Sequence, residues 1–195
     1  MLIGLIRHGL TDWNAQGKIQ GQSDIPLNEE GRNQAKLLAR RLQQEPYTWD
    51  FVITSGLSRA QESGQIIADA LHIPLLDPDS RIAERAFGQV EGRTSAERES
   101  LWGIDWHEQE LGQEKDDAVR SRALAFLEEI GQTHVDKNIL VISHGGLLAQ
   151  LYTALYEDRF KERIGNLSLT ILEKRDERWE PKVYNCLKHL EEAKK

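Results

Sequence analysis

Three short runs along the chain are almost wholly apolar: Leu2 to Ile6, Phe51-Val52-Ile53 and Ile139 to Ile142. Each is rich in β-branched or aromatic residues and has the length of a buried strand. Between them, apolar positions recur at helical spacing. Ala35, Leu38, Ala39 and Leu42 share one face, and Asn28 followed by Glu29 and Glu30 supplies an N-cap with acids in the first turn. Ala60, Gly64, Ile67, Ala68 and Leu71 mark a second helix, stopped by His72-Ile73-Pro74. Val119, Ala123, Phe126, Leu127 and Ile130 mark a third, ending near Gly131. Leu147 to Tyr156 is a fourth, apolar nearly all round and therefore expected to be buried. Leu167 to Leu172 and Trp179 to Tyr184 predict two more strands, joined through Lys174-Arg175-Asp176-Glu177 as a hairpin at a sheet edge. Strands alternating with helices predict an α/β fold: a three-layer α/β/α sandwich with a mostly parallel sheet and an antiparallel edge strand. Residues 81 to 115, with Trp102, Trp106 and several acids, show no clear period. They predict a partly helical insertion over the carboxyl edge of the sheet, within a single domain spanning 1–195.

Composition narrows the class. The chain has 195 residues, 39% hydrophobic and 29% charged, which suits one folded domain and excludes a disordered or collagen-like polymer. No run approaches the roughly 18 apolar residues of a membrane span. The apolar start is cut short by Arg7 and His8 and lacks the features of a secretory leader. The single cysteine, Cys186, allows no internal disulfide and no thiolate cluster for a metal. A cytoplasmic protein is expected. Net charge is −7, which argues against a broad basic face for nucleic acid. Any anionic substrate must meet positive charge concentrated locally.

In open parallel sheets, ligands bind outside the carboxyl ends of the strands. After the first predicted strand comes Arg7-His8-Gly9, after the second Thr54-Ser55-Gly56-Leu57-Ser58-Arg59, and after the third Ser143-His144-Gly145-Gly146. If these strands are neighbours, two histidines, two arginines and several glycines converge. Such a set suits a phosphate group. Guanidinium forks match its oxygens, and glycines let backbone N–H groups approach an anion at helix N-termini. A neutral histidine can attack phosphorus through a ring nitrogen, and nearby guanidinium charges keep it neutral. Two other readings stand beside this one. The histidines can be ordinary surface or turn residues. Alternatively, they can hold a metal with Glu84 or Glu91, although the arginines would repel a divalent cation.

The segment Arg7-His8-Gly9-Leu10-Thr11-Asp12-Trp13-Asn14 resembles the signature of the histidine phosphatase superfamily, in the branch that contains cofactor-dependent phosphoglycerate mutases. The likeness continues through Gln20-Gly21, Asp24-Ile25-Pro26-Leu27 and Gly31-Arg32-Asn33-Gln34-Ala35. It extends to Ser55-Gly56-Leu57-Ser58-Arg59-Ala60, Glu84-Arg85-Ala86-Phe87-Gly88-Gln89-Val90-Glu91-Gly92 and Ser143-His144-Gly145-Gly146. These motifs stand in the family's order over about residues 1 to 150, and together they are highly specific. The resemblance implies roles. His8 would be the phosphorylated nucleophile, and Arg7, Arg59 and His144 the phosphate pocket. Asn14 and the Gly145 backbone would add hydrogen bonds, and Glu84 would serve as general acid and base. Gln20 and Gly21 would lie on the substrate-facing loop, with Gln20 either touching substrate or only holding the loop. Glu91 is expected to pair locally. Trp102 and Trp106 are placed either in packing or at the substrate mouth. Leu10, Gly56 and Ser63 depart from the family's usual residues, as does Glu114-Lys115-Asp116-Asp117, without removing a catalytic group.

One phosphohistidine serves two outcomes, hydrolysis or transfer to a phosphoglycerate. Mutases of this branch typically carry a longer, more basic insertion after the general-acid segment. Here the stretch after Gly92 is short and holds more acid than base. The sequence therefore favours a phosphatase of small phosphomonoesters, similar to the small broad-specificity members of the family. A mutase and a non-catalytic anion-binding relative are the alternatives. No cofactor or metal is expected. The expected partner is a small phosphorylated metabolite, with no nucleic acid or membrane, and the protein is expected to be a monomer or homodimer.

Overall fold

A computed structural model describes residues 1–192 of the chain. In chain order the elements are β1 (Leu2–Arg7), α1 (Asp12–Ala15), α2 (Glu29–Gln44), β2 (Phe51–Thr54), α3 (Ser58–Leu71) and α4 (Ser95–Trp102). These are followed by α5 (Asp116–Thr133), β3 (Asn138–Ser143), α6 (Gly145–Tyr156), β4 (Leu169–Arg175), β5 (Arg178–Cys186) and α7 (Lys188–Glu192). Short 3-10 turns occupy Ser80–Ile82, Gly88–Val90, Trp106–Glu108 and Glu157–Arg159.

The strands form one sheet in the order β2-β3-β1-β4-β5. The first three are parallel, which makes the predicted neighbours real ones. Alternation along the strands explains the three layers. Ile3, Leu5, Ile139 and Val141 point to one side, against Val119, Phe126 and Leu127 of α5 and Leu147, Leu148 and Leu151 of α6. Leu2, Ile6, Leu140 and Ile142 point to the other, against Leu38 and Leu42 of α2 and Ile67 of α3. A strand apolar on every position needs cover on both faces, and that need is what the uninterrupted runs signalled. Each such side chain contributes about 1.5–3 kcal/mol when fully buried.

Local signals set most boundaries. The Asn28 side chain accepts the Gly31 N–H at 2.9 Å and starts α2. The α3 helix ends at His72, whose φ of 55° lies in the left-handed region just before Pro74. The β4–β5 hairpin is tighter than its four polar residues suggested. Arg175 pairs with Arg178, so only Asp176 and Glu177 turn. The antiparallel strand of the sheet is β4, one place in from the edge; β5 closes the edge beside it. Residues 81 to 115 are partly helical. Helix α4 there begins with a capping box in which Thr94 and Glu97 bond each other's backbone. No helix among the described residues is long and apolar enough to cross a membrane.

Candidate active site

Because β1 and β3 are paired in register Arg7 to Ser143, their carboxyl ends stop level with each other. The chain then releases His8 from one and His144 from the other. The two imidazole rings lie with centroids 5.1 Å apart. His144 is wholly buried beneath a cavity of about 490 Å³. Lining that cavity are Arg7, His8, Asn14, Gln20, Gly21, Arg59, Glu84 and Gly145; His144 does not line it but packs against His8.

Each side chain is aimed by specific bonds. The Nδ1 of His8 lies 2.7 Å from its neighbour's carbonyl, Gly9 O. A carbonyl only accepts, so Nδ1 carries the hydrogen and Nε2 keeps its lone pair. Burial pushes the His8 pKa well below the usual histidine value, and the Arg7 and Arg59 charges push it further. The imidazole is therefore neutral at neutral pH, the form a nucleophile needs. Arg59 is fully buried, and its two terminal nitrogens donate to Ser23 O at 2.8 Å and Gly21 O at 2.7 Å. Arg7 donates to Ile164 O at 2.7 Å, and burial lowers its pKa to about 10 while Glu84 opposes the shift. It remains a cation. His144 Nε2 bonds Ser55 Oγ at 2.6 Å. Three buried nitrogens of this group have no hydrogen-bond partner: Arg7 Nε, Arg59 Nε and His144 Nδ1. Unmatched buried donors cost about 1–3 kcal/mol each, so their concentration around one cavity marks a place built for an acceptor-rich group.

Glu84 reaches over from the segment after the 3-10 turn at Ser80–Ile82. One carboxylate oxygen accepts Leu147 N–H at 2.9 Å and Arg85 N–H at 3.0 Å; the other accepts Gly146 N–H at 3.0 Å. The carboxylate thus sits on the N-terminus of α6, where the helix dipole favours it. The Gly145 N–H, as the first of that helix, has no intrahelical acceptor. Gln20 accepts from Thr11 Oγ1 at 2.8 Å and also lines the cavity, so it both holds the loop and faces the site. Gly21 has φ of +54°, in the left-handed region, and a Cβ there would press on the Glu91 carboxylate, so glycine suits the position. Glu91 accepts from the backbone of Gln22, Ser23 and Phe87, stitching the loop after Gln20 to the segment after Glu84. Both carboxylates considered as metal ligands are engaged in this way. Among the described residues no group of three or more His, Cys, Asp or Glu side chains is gathered for a cation.

Other residues carry the site without having been singled out. Asn166 Nδ2 donates to His8 O at 2.9 Å and lies 3.2 Å from Asn14 Oδ1, tying the loop before β4 to the His8 backbone. Arg122 donates to the carbonyls of Arg81 and Ala83, both at 2.7 Å, and forks onto Glu114, fixing the approach to Glu84. Trp102 and Trp106 do not line the cavity; Trp106 instead lies under Arg98, which does.

The buried histidines make a prediction about stability. His189 is also shifted, down to about 4, by burial and by Arg41. Between these native values and 6.5, the unfolded chain binds protons that the folded chain refuses. Stability therefore falls as pH drops through 6.5, by about 1.4 kcal/mol per pH unit for each such histidine. Urea unfolding at pH 7 and pH 5 is expected to show a clearly lower midpoint at pH 5. Equal midpoints would contradict the neutral burial of these rings.

Comparison with known proteins agrees with this geometry. The family description "Histidine phosphatase superfamily (branch 1)" matches residues 3–187. The chain is 32% identical over 189 residues to the uncharacterised phosphatase PhoE of Bacillus subtilis, covering 95% of each. It is 32% identical over 197 residues to a metal-independent phosphoserine phosphatase of Arabidopsis thaliana, covering 96% of this chain and 82% of that one. Among solved structures, Bacillus stearothermophilus YhfR superposes with a TM-score of 0.88 at 28% identity, covering 97% of this chain and 98% of the other. The chain belongs to branch 1 of the histidine phosphatase superfamily.

Proposed function

We propose that this phosphatase hydrolyses small phosphomonoesters through a covalent phosphohistidine on His8, with Glu84 as general acid and base. The observation that carries the reading is the His8 ring. Its Nδ1 hydrogen is fixed on Gly9 O, and burial, with the Arg7 and Arg59 charges, holds it neutral, leaving the Nε2 lone pair for the cavity. The phosphoryl oxygens would be received by Arg7, Arg59, Asn14, the Gly145 N–H and His144 Nδ1. With Ser55 Oγ–H donating to Nε2, a neutral His144 presents Nδ1–H to the anion. These fixed donors stabilise the charge that spreads over the equatorial oxygens at the transition state.

In the first half-reaction Nε2 attacks phosphorus, the P–O ester bond breaks, and Glu84 protonates the departing oxygen. In the second, Glu84 removes a proton from water, the water oxygen attacks phosphorus, and the P–N bond breaks to release inorganic phosphate. The α6 N-terminus suits the carboxylate form that the second step needs. Protonated Glu84 gives up one of these N–H bonds and turns that oxygen to the leaving group. Residues 81–115 act as the cap of a single domain, since Glu84, Phe87 and Arg98 of this segment line the cavity.

The cavity also supports a second reading, phosphoryl transfer to a phosphoglycerate. The stretch after Gly92 holds more acid than base, but it is not the cavity's whole supply of charge. Lys18, Lys161 and Arg163 reach the cavity from elsewhere. Hydrolysis of p-nitrophenyl phosphate in excess EDTA tests the main reading: full activity is expected, and loss reversed by a divalent cation would overturn it. Product analysis with 3-phosphoglycerate, with and without 2,3-bisphosphoglycerate, separates hydrolysis from transfer. Free phosphate in both conditions is the expected product.

A further inference from the structure

The β5 strand carries a strained residue near its end. Asn185 has φ of 43°, in the left-handed region that side chains rarely adopt and that asparagine tolerates better than most. The strain sits at a bulge. Leu169 pairs with Cys186 and Ile171 with Val183, so Tyr184 and Asn185 together stand opposite Thr170. The Asn185 N–H has left the ladder and donates to Thr170 Oγ1 at 3.0 Å. Bulges re-aim side chains, and a strained residue persists only where its surroundings hold it.

The Asn185 side chain is aimed at the loop between α6 and β4. Its Oδ1 accepts the Gly165 N–H at 3.0 Å, and its Nδ2 donates to Arg163 O at 3.0 Å. One carboxamide thus clamps the backbone on both sides of Ile164. The Ile164 side chain is buried in the core, and its carbonyl accepts from Arg7 Nη1 at 2.7 Å. Arg7 Nε has no partner, so the guanidinium is aimed through Nη1. The sheet fixes the Arg7 backbone, but the direction of its fork depends on where Ile164 O stands. The same loop reaches the site twice more. Leu167 N–H donates to Arg7 O at 2.9 Å, and Asn166 Nδ2 donates to His8 O at 2.9 Å.

We propose that Asn185 is a positioning residue for the phosphatase reaction: by clamping the backbone around Ile164, it sets the Arg7 fork on the phosphoryl group that faces His8. The proposal rests on the phosphatase reading. Asn185 does not line the cavity, so it acts through Arg7 and not on the substrate. A cation held in place stabilises the equatorial oxygens without reorganising at the transition state, whereas a loose one must first be oriented.

Asn185→Gly tests it. Glycine takes a φ of 43° readily, so the bulge remains and the carboxamide alone is lost. The kcat for p-nitrophenyl phosphate is expected to fall by about ten- to a hundredfold, the scale of a catalytic group misplaced from a distance. Vanadate affinity, measured by calorimetry, should fall by about tenfold or more for the same reason. Misfolded protein would lower the binding stoichiometry and leave the affinity unchanged. In an Arg7→Gln background, Asn185→Gly should cost less than about twofold in vanadate affinity, because the group it positions is gone. Unchanged kcat and vanadate affinity in Asn185→Gly would overturn the proposal. So would equal losses of affinity in both backgrounds, which a purely structural role would give. A wild-type protein that binds vanadate but leaves p-nitrophenyl phosphate intact would instead sink the phosphatase reading, and the vanadate comparison would still decide whether Asn185 positions Arg7.

Discussion

His8→Ala is expected to lower phosphatase turnover by at least about three orders of magnitude, the scale on which a covalent nucleophile is lost. Nothing else in the cavity can replace it. His144 is fully buried and bonded through Nε2 to Ser55. The guanidinium groups of Arg7 and Arg59 are cations and cannot attack phosphorus. The variant keeps those cations and the α6 N-terminus, so it should still bind phosphate or vanadate. Loss of turnover with retained anion binding is therefore the signature to measure, with circular dichroism to show that the sheet is intact. Wild-type turnover in this variant would remove His8 from the mechanism.

Glu84→Gln should show a loss that depends on the leaving group. An alkyl phosphate releases a strongly basic oxygen and needs the proton, so a loss of about 10²–10⁴ is expected there. p-Nitrophenolate leaves well without one, so its first step should suffer far less. The structural role of Glu84 complicates the substitution in a predictable way. Its two oxygens accept N–H bonds from Gly146, Leu147 and Arg85, and an amide NH2 in place of one oxygen would face donors. That mismatch is worth about 1–3 kcal/mol of stability. Equal losses on both substrates, tracking the loss of stability, would mean that Glu84 only anchors α6.

Much of this protein was legible along the chain because the signals are local. The fully apolar runs at Leu2 to Ile6 and Ile139 to Ile142 required cover on both faces, and they received it. Asn28 and Pro74 bounded helices by backbone chemistry that needs no tertiary partner. The site motifs were legible for a related reason. The Arg7-His8 and Ser143-His144 motifs stand at strand ends, so the register of parallel neighbours brings these four residues together without further instruction.

Other features were hidden because their cause lies far away in sequence. Asn166 belongs to no periodic segment, and its meaning comes from His8 and Asn14 across the fold. Helix α4 lacks an apolar stripe, and its start is fixed by the Thr94–Glu97 capping box, which the period of the chain does not show. For Trp102 and Trp106 the sequence left packing and the substrate mouth both open, and the structure puts Trp106 under Arg98, away from the cavity lining.

The sequence by itself determined the layered α/β fold, the family and the residues that gather at the carboxyl edge, because pattern and motif act over short distances. Only the tertiary structure decided which His8 nitrogen is free, that Glu84 rests on a helix N-terminus, and that cations from five segments share the cavity. Hydrogen-bond direction and the summed field of charges depend on positions in space, and residues distant in the chain set both.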